Sequence, residues 1–185
     1  MRRFSIRTFS FILFIALGAA AFGQAKSLAI TTNKTIVDGV VNPAEYSFTQ
    51  DFGELALSVN RTADALYIAA VGKTTGWVAL GLGSMKMDGS TIFMGFVGKD
   101  GKVQFKAQAG SGHSHKDAGD DVAGTIISSQ MKESGDTTTL EVSLRPAAYI
   151  KSGQTALEII YAEGTEKSFI PRHMMRGALS LTLTK

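Results

Sequence analysis

The sequence contains no cysteine. That excludes disulfides, thiolate metal sites, haem attached through a CxxCH motif, a lipid-anchored cysteine and a cysteine nucleophile. Proline is scarce, with three in 185 residues, and tryptophan appears once. No stretch sustains an apolar period of 3.6, so helix content should be low. The best helical candidate is a single turn from Pro146 to Ile150, where the proline suits a first helical position. GxSxG, HExxH, P-loop and dinucleotide motifs are also missing. Asp120 and Asp121 are adjacent, but nothing in the sequence draws two carboxylates into a cleft, so ordinary hydrolase chemistry is a poor fit.

Charge of one sign is lacking too, once the N-terminus is set apart. Arg2, Arg3 and Arg7 precede an uncharged apolar run from Phe9 to Phe22, and small residues follow at Ala21, Gly23 and Ala25. This is the pattern of a secretory signal over residues 1–25; the run is shorter than the roughly 20 apolar residues of a spanning helix. Residues 26–185 are then the domain, with 16 basic against 16 acidic residues. That balance, with no basic cluster, implies neither a nucleic-acid partner nor a membrane surface. Export without cysteine suits a periplasmic or secreted protein, with no membrane span after cleavage.

What is present is period-two alternation. Leu55, Leu57 and Val59 alternate with Ala56, Ser58 and Asn60, the signature of a half-buried strand. Similar runs are Ala65 to Val71, Trp77 to Leu82, Thr91 to Val97, Val103 to Ala109, Gly124 to Ser129, Thr137 to Leu144, Ala156 to Tyr161 and Ala178 to Thr184. Asp100-Gly101 between two of them reads as a tight hairpin. The polar stretch from Gly110 to Gly124 reads as a long exposed loop. The expected fold is a single all-β domain, an antiparallel sandwich.

Few residues carry soft or basic donors. Trp77 reads as a core tryptophan. Met85 and Met87 bracket Lys86 beside Asp88-Gly89, where a thioether is available as a soft metal ligand or as packing. His113 and His115 face the same way if their segment is extended, and with a nearby Asp could hold one metal ion. His173 stands between Arg172 and Arg176, and neighbouring positive charge favours the neutral imidazole a metal requires.

Asp51-Phe52-Gly53-Glu54-Leu55, Ala65-Leu66-Tyr67-Ile68-Ala69 and Gly76-Trp77-Val78-Ala79-Leu80-Gly81, followed by Met87-Asp88-Gly89-Ser90, together resemble the DOMON family across most of residues 26–185. The resemblance implies an immunoglobulin-like β-sandwich of roughly ten or eleven strands. In the haem-binding branch, it implies an axial methionine after the tryptophan strand and an axial histidine before the last strand. Met87 and His173 match these positions, with Met85 the alternative and Thr91 standing where many members carry aspartate. The implied cofactor is non-covalent haem b and the implied activity electron transfer with a partner protein or membrane cytochrome, rather than an enzyme reaction. Trp77 would line the haem, and Arg172, Arg176 and Lys86 would be available for its propionates.

A second resemblance points elsewhere. Ile36-Val37-Asp38-Gly39 with Glu45-Tyr46 is similar to the opening of some carbohydrate-binding domains, for which Tyr46, Tyr67, Trp77 and Tyr149 are the available stacking rings. A third reading is a copper-binding surface on His113, His115 and nearby methionines.

Overall fold

The computed structural model describes residues 26–170 and 172–185; the expected signal over residues 1–25 lies outside the described residues. The described chain forms twelve strands: β1 (Ser27–Leu28), β2 (Phe48–Asp51), β3 (Leu55–Arg61), β4 (Leu66–Gly72), β5 (Val78–Leu82), β6 (Thr91–Val97), β7 (Val103–Ser111), β8 (Ser114–Asp117), β9 (Ile126–Ser134), β10 (Thr137–Leu144), β11 (Ala156–Glu163) and β12 (Met175–Leu183). One sheet has seven strands in the order β1-β12-β11-β5-β6-β7-β8, and the other has five in the order β2-β3-β4-β10-β9. Neighbours are antiparallel except β1 on β12. The all-β antiparallel sandwich expected from the alternation is what forms.

Alternation places one set of side chains between the sheets. Leu57, Val59, Ile68, Leu140 and Val142 of the smaller sheet meet Leu80, Phe93, Leu157, Ile159 and Leu181 of the larger, all essentially buried. Burying each such side chain is worth about 1.5–3 kcal/mol. Gly95 of β6 allows the close approach of β9: a Cβ there would strike the Met131 sulfur and the Gln104 carbonyl. Gly95→Ala is expected to lower stability by about 1–3 kcal/mol through overpacking, read as an earlier urea midpoint at unchanged slope.

The outer face of the five-stranded sheet is polar and covered by residues 31–46. Asn60 and Glu141, both fully buried, hold this cover. The Asn60 amide donates to the Asn33 carbonyl at 2.9 Å and to Thr35 Oγ1 at 3.0 Å. The Glu141 carboxylate accepts from the amides of Asp38 and Gly39 at 3.0 and 2.6 Å and from the Tyr46 hydroxyl at 2.6 Å.

Turn chemistry sets the connections. The helical turn expected after Pro146 is α2 (Pro146–Tyr149), preceded in the chain by α1 (Asp120–Ala123). The Asp100-Gly101 hairpin forms, with Gly101 at φ 77°. The stretch from Gly110 to Gly124 differs from the exposed loop expected: β7 runs on to Ser111, Gly112 turns at φ 58°, and β8 returns beside it. β8 is an edge strand whose four residues are all exposed, so it lacks the apolar alternation by which strands are recognised.

Candidate functional site

A second apolar cluster lies outside the core, on the outer face of the seven-stranded sheet. It contains Trp77, Ala79, Ile92, Met94 and Phe96, with Met87, Ala162 and Phe169 packed against it. Trp77 is therefore buried, at 4% exposure, but outside the space between the sheets. The register lays these residues out in rows. Arg176, Ala162, Ala79, Met94 and Lys106 are successive partners across β12, β11, β5, β6 and β7. A row of four inter-strand steps is about 19 Å wide. Its centre is low, because Ala162 and Ala79 are small, and a cation stands at each end.

Met87 belongs to the turn at one end of this floor, between β5 and β6. The Asp88 carboxylate accepts the Gly112 amide at 2.8 Å, the Ser90 hydroxyl donates to the Lys86 carbonyl at 2.5 Å, and Gly89 turns at φ 78°. Gly110 of β7 lies directly under the turn, where a Cβ would run into the Met87 carbonyl oxygen. The Met-Asp-Gly-Ser sequence thus fixes Met87 half-buried on the cluster. Met85 is 41% exposed and Lys86 is exposed. Gly110→Ala is expected to lift this turn at a cost of about 1–3 kcal/mol; protease cleavage after Lys86 should rise while the core unfolds as one transition.

His173 lies at the other end, before β12. Four rises along β5 separate the two ends of the floor by about 13 Å. His173 is exposed, as are Arg172 and Arg176, and its Nε2 stands 3.3 Å from Arg176 Nη1. The guanidinium can only donate, so the imidazole nitrogen facing it accepts. Between the ends, Phe169 covers the floor: its ring packs 4.9 Å from that of Phe96, with the Lys106 ammonium 5.3 Å from its centroid. Lys167 anchors the same segment to β9 through Glu133. Lys106 also pairs with Asp117 at 3.1 Å and, with Gln108, holds that carboxyl below its usual range.

Two buried polar atoms in the walls, Trp77 Nε1 and Gln108 Oε1, have no hydrogen-bond partner among the described residues. Buried groups of this kind are nearly always satisfied by protein or ordered water. The sequence reading missed Met94, Phe96, Gln108, Lys106 and Phe169.

The other candidates are placed differently. His113 sits in the β7–β8 turn and His115 in β8, opposite Gly110. No group of three or more His, Cys, Asp or Glu side chains is placed to hold a metal among the described residues. Of the four rings available for sugar stacking, Tyr46, Trp77 and Tyr149 are buried and Tyr67 is half-buried. The Asp38-Gly39 and Tyr46 groups are engaged by Glu141.

No protein-family model matches the chain, and no curated protein matches it. Among solved structures it is similar to the cytochrome b domain of pyranose dehydrogenase from Coprinopsis cinerea, with a TM-score of 0.52 and 13% identity over 74% of this chain and 81% of that one. The cytochrome domain of cellobiose dehydrogenase from Myriococcum thermophilum aligns with a TM-score of 0.48 and 10% identity over 74% of this chain and 81% of that one. A family 9 carbohydrate-binding module from Caldicellulosiruptor kristjanssonii, solved with cellotriose, aligns with a TM-score of 0.46 and 10% identity over 84% of this chain and 83% of that one. The first of these establishes a shared sandwich fold; ligand choice rests with this chain's own residues.

Proposed function

We propose that the protein is an exported electron-transfer module that holds one non-covalent haem b on the outer face of the seven-stranded sheet, with Met87 and His173 as axial ligands. The observation that carries this reading is the apolar floor outside the core, flanked by a half-buried thioether at one end and an imidazole at the other. The residues fit the group in kind. A porphyrin needs an apolar surround, which Trp77, Ala79, Met94, Phe96 and Ala162 supply. Its propionates, which share one edge of the ring, need cations, and the exposed Arg172 and Arg176 flank His173. Its iron takes a thioether sulfur and an imidazole nitrogen free of its proton.

Held by Met87 and His173, the group would supply one-electron transfer. The chain's own part is to cover the apolar floor, which Phe169 does by packing on Phe96. The connection between β11 and β12 carries both the covering Phe169, packed on Phe96, and His173, beside Arg176, so haem binding would require Phe169 to leave Phe96.

Titrating the purified chain, lacking residues 1–25, with haem tests the proposal. Saturable uptake at one equivalent with low-spin bands is expected. A colourless protein that instead binds glycans would replace this reading with a sugar-binding one.

A further inference from the structure

Along β11 the inward face carries Leu157, Ile159 and Tyr161 and then, at its last position, Glu163. Glu163 is 3% exposed, and its Oε2 has no hydrogen-bond partner among the described residues. That oxygen is packed against Gly72, the last residue of β4 in the other sheet, where a Cβ would collide with it. Two charged groups face the carboxyl: Glu54 from the turn between β2 and β3, and Lys73 from the residue after β4. Its cross-strand partners on β5 and β12, Val78 and Met175, are apolar. Burial first, then the Glu54 carboxylate, raises the Glu163 carboxyl above its ordinary range, and the Lys73 amide and ammonium offset only part of that. A charge is costly in such a place, whereas the neutral acid is tolerated.

We propose that Glu163 is a pH-sensitive latch: as the neutral acid it lets the two sheets close at this end and pins the connection between β11 and β12, and on ionising it loosens that connection. Both ends of the connection meet here. The Met174 amide donates to the Glu163 carbonyl at 2.8 Å, the Gly164 amide donates to the Trp77 carbonyl at 3.0 Å, and Thr74 Oγ1 donates to the Gly164 carbonyl at 2.9 Å. Beside them lies a mainly apolar cavity of about 170 Å³, lined by Glu163 together with Gly164, Thr165, Met174 and Met175 among others. An ionised Glu163 is stabilised by meeting water, so ionisation favours turning the carboxylate away from Gly72 and out past these two ends. Because the folded value is raised, the stabilisation that the latch contributes is fully present below the unfolded value of about 4.3 and is lost as pH rises through the folded one. The connection also carries Phe169 and His173, so on the haem reading, and only on it, the cover of the apolar floor loosens over the same range. The pH response itself needs no haem.

Trp77, the single tryptophan, is a built-in reporter, because its indole packs on Gly164. In haem-free protein its emission should shift to the red as pH rises, following one proton with a midpoint above the unfolded value of about 4.3. Glu163→Gln, a neutral change of the same shape, should hold the emission at its acid-side position throughout. Within the same window the Tm of wild type should fall behind that of Glu163→Gln by about 3–5 °C per pH unit, the equivalent of a tenfold change in the folding constant per unit for one proton, and the gap should stay level above it. Two exposed neighbours should move the midpoint in opposite directions, Glu54→Gln to lower pH and Lys73→Gln to higher, and these variants carry the test if Glu163→Gln does not fold. Parallel Tm profiles in wild type and folded Glu163→Gln, or a midpoint unmoved in both neighbour variants, would overturn the latch. So would a Tm gap that opens while Trp77 emission stays fixed, since Glu163 would then have no hold on the connection.

Discussion

Glu141→Ala is expected to destabilise the domain by about 4 kcal/mol, since it strips a buried charged acceptor from three donors at about 1–3 kcal/mol each, with partial rescue by water. Those donors are the amides of Asp38 and Gly39 and the Tyr46 hydroxyl, so the cover of residues 31–46 loses its hold on the five-stranded sheet. At about 2–4 °C per kcal/mol for a domain of this size, Tm should fall by about 8–16 °C. Glu141→Gln keeps one acceptor oxygen and should cost about half as much. Tyr46→Phe should cost about 1–2 kcal/mol, because it leaves the carboxylate with two of its three donors. Alkaline pH offers a second readout. Burial, then the hydrogen bond to Glu141, raises the Tyr46 hydroxyl above its usual range. A raised folded pKa means that the stabilisation is fully present below the unfolded value of about 10 and is lost as pH rises above it. Wild type should therefore weaken in that window more steeply than Tyr46→Phe. A urea unfolding free energy for Glu141→Ala within about 1 kcal/mol of wild type would mean that the cover is held by other contacts.

The second large effect concerns the two candidate ligands. His173→Ala should lower haem affinity by about a hundredfold and abolish the low-spin spectrum, because no second histidine lies on that end of the floor. Met87→Ala should lower affinity by about tenfold and turn the spectrum high-spin, since the thioether is the weaker donor. Met85→Ala should leave both unchanged, because Met85 is exposed while Met87 packs on the cluster. Equal losses from the two methionine variants would mean that the turn, rather than one sulfur, is what haem senses.

The fold was legible where apolar residues alternate with small or polar ones along a strand. Leu55 to Val59 and Ala156 to Tyr161 alternate cleanly, and both are strands at those positions. β8 was illegible for the opposite reason, being exposed on both faces, and β1 is too short, at two residues, to show a period. Glu141 reads as an outward polar residue, and only the tertiary cover makes it buried. The apolar floor did leave a signal. Val78 to Leu82 and the middle of Thr91 to Val97 are buried without a break, and an unbroken apolar run marks a strand covered on both faces. A sandwich core explains one face of such a strand; the other requires a second cover, here Phe169 and the Met87 turn. Phe169, an isolated aromatic in a polar connection, gave no periodic cue. Met87 was legible from its Asp-Gly-Ser turn, whereas Met87 and Met85 could be told apart only by burial.

X-ray absorption at the iron edge of the haem-loaded protein tests the ligand pair most directly. One sulfur scatterer beside a shell of nitrogens is expected in wild type and in Met85→Ala, with the sulfur lost in Met87→Ala and one nitrogen lost in His173→Ala. A shell of nitrogen and oxygen alone in wild type, or a sulfur that survives in Met87→Ala, would contradict it.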